Sequence, residues 1–241
     1  MKQNYEPSLA ITLKWEGGDV NHPDDPGGKT RWGVTQARYD EYRVKRHAAK
    51  RSVFQMTRDE MLDIYRTYWD AVKGDTLASG VDLATWDFGV NSGPSRAWKT
   101  LTTVLGGTDV QTIQKLSAKR LSFMKGLTIF KTFGKGWSAR VADIEARAVK
   151  MALAGTTTVR SSLMTEALKA DASAKKKSNA TKATGSASAA SAVSTNGVDQ
   201  YLAWGLLGLA VIGVGVAIYF ALKSKHDKER AEAYTRVAEE A

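Results

Sequence analysis

Glu16 is where the sequence first offers chemistry. It ends a stretch with apolar residues at Leu9, Leu13 and Trp15, directly before Gly17-Gly18, where a left-handed helix cap belongs. The spacing predicts a short helix over Pro7 to Glu16. A carboxylate at that end faces the negative pole of the helix dipole, and contact with Trp15 strips water from it; both disfavour the charged form. A carboxylic acid kept protonated near neutrality can hand its proton to a leaving glycosidic oxygen. Glycoside hydrolysis usually needs a second carboxylate across the bond, to activate water or to attack the sugar. Asp24 and Asp25 are the nearest candidates. Pro23, Pro26 and Gly27-Gly28 can turn the chain so that Asp25 faces Glu16 and Asp24 contacts substrate, with Thr30 on the returning strand holding a water. The two aspartates are exchangeable in these roles, and the stereochemical outcome stays open.

Other reaction types find less support. The chain has no cysteine, which excludes disulfides and thiolate metal sites, and its three histidines (His22, His47, His226) are too scattered for a metal cluster. A hydrolysis without metal or other cofactor is expected. Lys and Arg number 35 against 25 Asp and Glu, a net charge of +10 that draws a protein toward polyanions such as cell wall, anionic lipid or nucleic acid. Because these charges are spread along the chain, nucleic acid is the least expected partner. Trp86, with Trp69 and Trp98, can stack on sugars, although tryptophans at helical apolar spacing more often pack in a core. Asn91 can contact glycan or cap a helix. Arg140 reads as a charge on a helix face.

The elements that must position these residues are mainly α-helical. Thr57 followed by Glu60 is a capping-box pattern, and Met61, Ile64, Tyr65 and Tyr68 then share one face. Val81 to Asn91 fits a second helix. Gly93-Pro94 starts another through Ala97, Leu101 and Leu105, which Gly106-Gly107 closes. Val110–Lys125 and Trp137–Leu153 are amphipathic, and a helical extension reaches Ala170. Only Gly17 to Thr35 breaks the rhythm; its glycines and prolines predict a looped hairpin.

The run Trp15-Glu16-Gly17-Gly18-Asp19-Val20, with Asp24-Asp25-Pro26-Gly27-Gly28-Lys29-Thr30 and Trp32-Gly33-Val34-Thr35, resembles the signature segment of glycoside hydrolase family 108. These are N-acetylmuramidases of bacteria and phages. Ile64-Tyr65, Tyr68-Trp69 and Asp87 to Pro94 are similar to later landmarks of that family, although Asp19 stands where tyrosine is common. The resemblance implies a lysozyme-like α+β fold, a catalytic Glu16 and peptidoglycan as substrate. It implies cleavage of the β-1,4 bond between N-acetylmuramic acid and N-acetylglucosamine. Residues 92–154, closing on Gly136-Trp137-Ser138-Ala139-Arg140-Val141, resemble the helical peptidoglycan-binding module that often follows this domain, although the stretch after Gly107 lacks its usual turn.

The expected organisation is a catalytic domain over 1–91, a binding module over 92–170, a flexible Ala/Ser/Thr/Lys linker over 171–200, a transmembrane helix over 201–222 and a charged cytoplasmic tail over 223–241. The span Tyr201–Leu222 holds no charge, has aromatic residues at both ends and is followed by Lys223, Lys225, Lys228 and Arg230. That places the catalytic head in the periplasm on a single-pass inner-membrane protein, or on a virion component delivered to the host envelope. The expected partners are peptidoglycan, the bilayer, and holin or virion proteins. The competing expectations are a non-catalytic wall-binding scaffold and a bacterial muramidase that assists secretion.

Overall fold

The computed structural model describes residues 1–21, 28–190 and 200–241. Two compact units divide the chain: Met1–Thr132 with Arg147–Ala154, and Phe133–Ala146 with Gly155–Ala241.

The first unit is helical apart from one hairpin. Helix α1 (Tyr5–Leu13) leads into the turn that carries Glu16, and strands β1 (Thr30–Arg31) and β2 (Val34–Thr35) pair antiparallel with Arg31 opposite Val34. Trp32 and Gly33 join the strands, both at positive φ (48° and 75°), as a two-residue primed hairpin turn requires. A bridge between Val20 and Thr30 ties the loop back to the hairpin. Helices α2 (Gln36–Lys45), α3 (Arg58–Ala71), α4 (Val81–Ser92), α5 (Pro94–Thr102) and α6 (Asp109–Lys125) follow.

Helix α3 starts as its sequence predicts. The Thr57 hydroxyl accepts from the Glu60 N–H, and the Glu60 carboxylate accepts from the Thr57 N–H. That carboxylate also accepts from the Tyr39 hydroxyl at 2.8 Å, Arg51 at 2.6 Å and Arg43 at 2.8 Å. Burial opposes its charge, but these donors outweigh burial and bring its pKa down to about 2. One cap residue thus fixes α2, the segment before α3 and α3 itself.

The core under α3 and α4 is aromatic. Trp86 meets Tyr5, Tyr65 and Trp69 edge-on at centroid distances of 5.9, 6.1 and 5.5 Å. The Trp69 indole donates to Asp75 at 2.7 Å. A buried polar knot ties three helices together: Asp87 of α4 pairs with Arg120 of α6 at 2.7 Å and accepts from the Thr12 hydroxyl of α1 at 3.0 Å. Because α4, α5 and α6 share this unit, the expected border at residue 91 falls inside one body.

The second unit contains the middle of α7 (Phe130–Ala152) and the antiparallel pair α8 (Val159–Ala190) and α9 (Gln200–Glu239). Here the expected organisation needs correction. One helix runs through residues 171–190, where a flexible linker was expected, because alanine and lysine are good helix formers and Ala170 and Ala174 are buried. The rest of the linker, 191–199, lies outside the described residues. The expected charged tail is packed as well. Arg230 pairs with Glu145 at 2.6 Å, the Tyr234 hydroxyl donates to the same carboxylate, Arg236 pairs with Asp143 at 2.8 Å, and Lys177 and Ser173 hold Asp227.

Among the described residues no helix is long and apolar enough to cross a membrane. This overturns the expectation of a single-pass membrane protein with a periplasmic head. An uncharged run is only one requirement for a span, and the cations read as a positive-inside signal include Arg230, which neutralises a buried acid. The side chains of residues 201–216 lie outside the described residues. Arg140, read as a face charge, is buried.

Candidate active site

Helix α1 ends at Leu13, earlier than predicted. The Lys14 and Trp15 N–H groups bond three residues back, to Ile11 and Thr12, which tightens the last turn and releases the chain before Glu16. The buried bond from Thr12 to Asp87 anchors that end of α1 four residues before Glu16.

Glu16 opens into a cleft of about 350 Å³, which it lines with Leu13, Gly17, Trp32, Arg58 and Met61. Each wall has a local cause. Arg58 and Met61 stand on the first turns of α3, set by the Thr57–Glu60 cap. Trp32 is held in its left-handed conformation by the Tyr65 hydroxyl, which donates to the Trp32 carbonyl at 2.8 Å, and the Arg31 guanidinium lies 4.2 Å over its ring. Arg31 in turn donates to the Phe54 carbonyl and faces Asp19 at 3.6 Å.

Gly33 is required twice over. Its φ of 75° is strained for any other residue, and a Cβ there would overlap the Glu16 carboxyl and stand 2.7 Å from the Tyr65 hydroxyl. The hairpin backbone is therefore pressed against the Glu16 side chain. The geometry sets a carboxyl group at the wall of an open cleft beside a half-exposed indole, an arrangement suited to protonating a bond in a stacked sugar.

The other sequence-predicted residues divide. Thr30 lies on β1, paired with Thr35, and its hydroxyl donates to the Gly28 carbonyl at 3.2 Å. Asp24 and Asp25 lie outside the described residues. Asn91, near the end of α4, accepts from the Ser92 hydroxyl at 3.0 Å and is not among the residues lining the Glu16 cleft. Trp86 is corrected to a core residue: it is 0 % exposed, closed in by aromatic rings, with no face for a sugar.

The sequence placed Tyr65 on the apolar face of its helix and Asp87 among the family landmarks, but pointed to no contact of Tyr65 with the site, no place for Arg58 in it and no pairing of Asp87 with Arg120. Of the last, only Asp87 left a signal, an acid set between the apolar residues Trp86 and Phe88; Arg120, beside Lys119, left none. The contact of Tyr65 with Gly33 left none.

A carboxyl group on a tight turn at the mouth of a cleft, borne on a helical frame with one small hairpin, suits a glycosidase, and the sequence comparison assigns the chain to that class. The sequence pattern of Glycosyl hydrolase 108 matches residues 9–93, which contain the cleft and the Glu16 turn. The solved structure of Brucella abortus SagA is similar at 35% identity, covering 64% of this chain and 99% of that chain, with a TM-score of 0.58. No curated protein matches the chain. The chain belongs to glycosyl hydrolase family 108, and is thereby a muramidase-like peptidoglycan hydrolase.

Proposed function

We propose that this protein is an N-acetylmuramidase that cleaves the β-1,4 bond between N-acetylmuramic acid and N-acetylglucosamine, with Glu16 as proton donor. The observation that supports this reading is the Glu16 carboxyl on the wall of the Trp32 cleft, backed by Gly33. Glu16 gives its proton to the glycosidic oxygen as the bond from that oxygen to the anomeric carbon breaks. Water adds to that carbon, and its proton passes to a second carboxylate, the role assigned to Asp25 or Asp24. Thr30, on the strand leading to the Trp32 turn, is assigned to orient that water. Trp32 takes the stacking role expected of Trp86. The likeness to a protein of the bacterium Brucella abortus favours a bacterial muramidase over a phage one.

The test compares the full chain with Glu16→Gln on isolated peptidoglycan sacculi, followed by borohydride reduction and mass spectrometry. The expected result is release of fragments that end in reduced N-acetylmuramic acid, with the rate lowered at least ~100-fold in the variant. Fragments ending in reduced N-acetylglucosamine overturn the bond assignment, and equal rates overturn the role of Glu16.

A further inference from the structure

Away from Glu16, a second and larger cleft of about 730 Å³ opens between α5 and α6. Its charge is one-sided. From Pro94 to Lys125 the sequence has six Lys and Arg residues and one acid, Asp109. One of those cations, Arg120, is used internally by Asp87. Three others, Arg96, Lys99 and Lys119, line the cleft and are exposed, and among the described residues no carboxylate pairs with any of them. Hydroxyls interleave with them: Ser95 from α5, Thr103 just past its end, and Ser122 from α6.

The placement follows from helical spacing. Arg96 and Lys99 fall at i and i+3 on the face of α5 away from buried Ala97 and Leu101, the cap residue Thr103 continues that row, and Lys119 and Ser122 share one face of α6. The Arg96 guanidinium rests 4.0 Å over the Phe123 ring, which limits its motion. Holding three like charges around one cleft without a counter-charge costs stability, and the cost is recovered when an anion enters.

We infer that this cleft is a second binding site, for the free carboxylates of the peptides that hang from the wall's glycan strands, distinct from the glycan cleft of Glu16. The inference rests on the peptidoglycan reading above and adds which part of that polymer is held here. Several carboxylates on a short peptide match three cations within one cleft, and the hydroxyls match its amides. Nucleic acid fits less well because stacking platforms are lacking: Phe123 is covered by Arg96, and Lys73 lies 5.0 Å over the Trp98 ring.

The experiment uses the full chain carrying Glu16→Gln, so that it binds without cutting, and measures its cosedimentation with sacculi. Intact sacculi are compared with sacculi whose peptides have been removed by an amidase. Lys99→Gln with Lys119→Gln should weaken binding to intact sacculi about five- to tenfold and flatten its salt dependence, with no change on stripped glycan. Equal binding of the double variant and its parent to intact sacculi overturns the inference. So does equal binding of the parent to intact and stripped sacculi, or displacement by polyphosphate or duplex DNA at lower charge concentration than by soluble stem peptide. Reducing ends released from stripped glycan by the Glu16-intact chain report on the hydrolase separately, so the two readings fail independently.

Discussion

Trp86 and Trp32 carry the same side chain into opposite circumstances. Trp86 sits on α4 with no exposed surface, ringed by Tyr5, Tyr65 and Trp69. Trp32 is half-exposed on a hairpin turn at φ 48°, with a guanidinium over one face and a cleft beside it. The first region closes on itself by many weak contacts, each supporting the others. The second is open and holds backbone conformations that a free chain avoids, so it depends on the first to impose them. Stability and chemistry are thus separated within one small unit, and Tyr65 spans the gap, its ring in the core and its hydroxyl at the Trp32 turn.

The largest expected effect tests the closed side. Trp86→Ala should lower unfolding free energy by about 3–5 kcal/mol, read by denaturant titration, while activity per folded molecule stays near that of the parent. A loss of activity with stability intact would return Trp86 to the site and erase the contrast.

Gly33→Ala tests the open side. The new methyl must displace the Glu16 carboxyl or the Tyr65 hydroxyl, and the backbone must hold φ near 75° with a Cβ present. Activity on sacculi should fall roughly 100-fold, as small misplacements of a reacting group do, with a stability loss of only about 1–2 kcal/mol. A stability loss as large as that of Trp86→Ala would show the hairpin to be part of the core.

What was readable in advance follows the same division. Helix α3 was legible because its cap is local: Thr57 and Glu60 are three residues apart and their bonds close on each other. Glu16 was legible as a residue at a helix terminus, although the helix was expected to run through it and ends at Leu13; its surroundings were not legible, because Gly33 reaches it through a contact distant in sequence. Trp86 and a sugar platform share one signature at helical spacing, and only burial separates them. The charged end of the chain misled for a related reason. The partners of Arg230 and Arg236 are Glu145 and Asp143, 85 and 93 residues away, and no local pattern announces such pairs.

Glu60→Gln sharpens the contrast from the side of the cap. It leaves Arg43 and Arg51 without a counter-charge and should cost roughly 1–3 kcal/mol at neutral pH. The pH dependence has a definite sign. The folded carboxyl titrates at about 2 against an ordinary 4.5, so its contribution is complete above the unfolded range and is lost as pH falls toward 2. Thermal melts between pH 5 and 2 should fall more steeply for the parent than for Glu60→Gln. Parallel curves would show that the Glu60 network does not govern this acid sensitivity.

The smallest effect is expected where the two regions meet. Tyr65→Phe keeps the ring in its edge-on contact with Trp86 and removes only the hydroxyl that donates to the Trp32 carbonyl. One such bond contributes about 0.5–1.5 kcal/mol, so the melting temperature should move little. That bond helps hold Trp32 left-handed and Gly33 against Glu16, so its loss loosens the carboxyl without removing a substrate contact. kcat should then fall several-fold, about 3–10-fold, with KM nearly unchanged. A rise in KM at constant kcat would mean that the hydroxyl binds sugar, and the open region would begin one residue deeper in the core than the Trp32 turn implies.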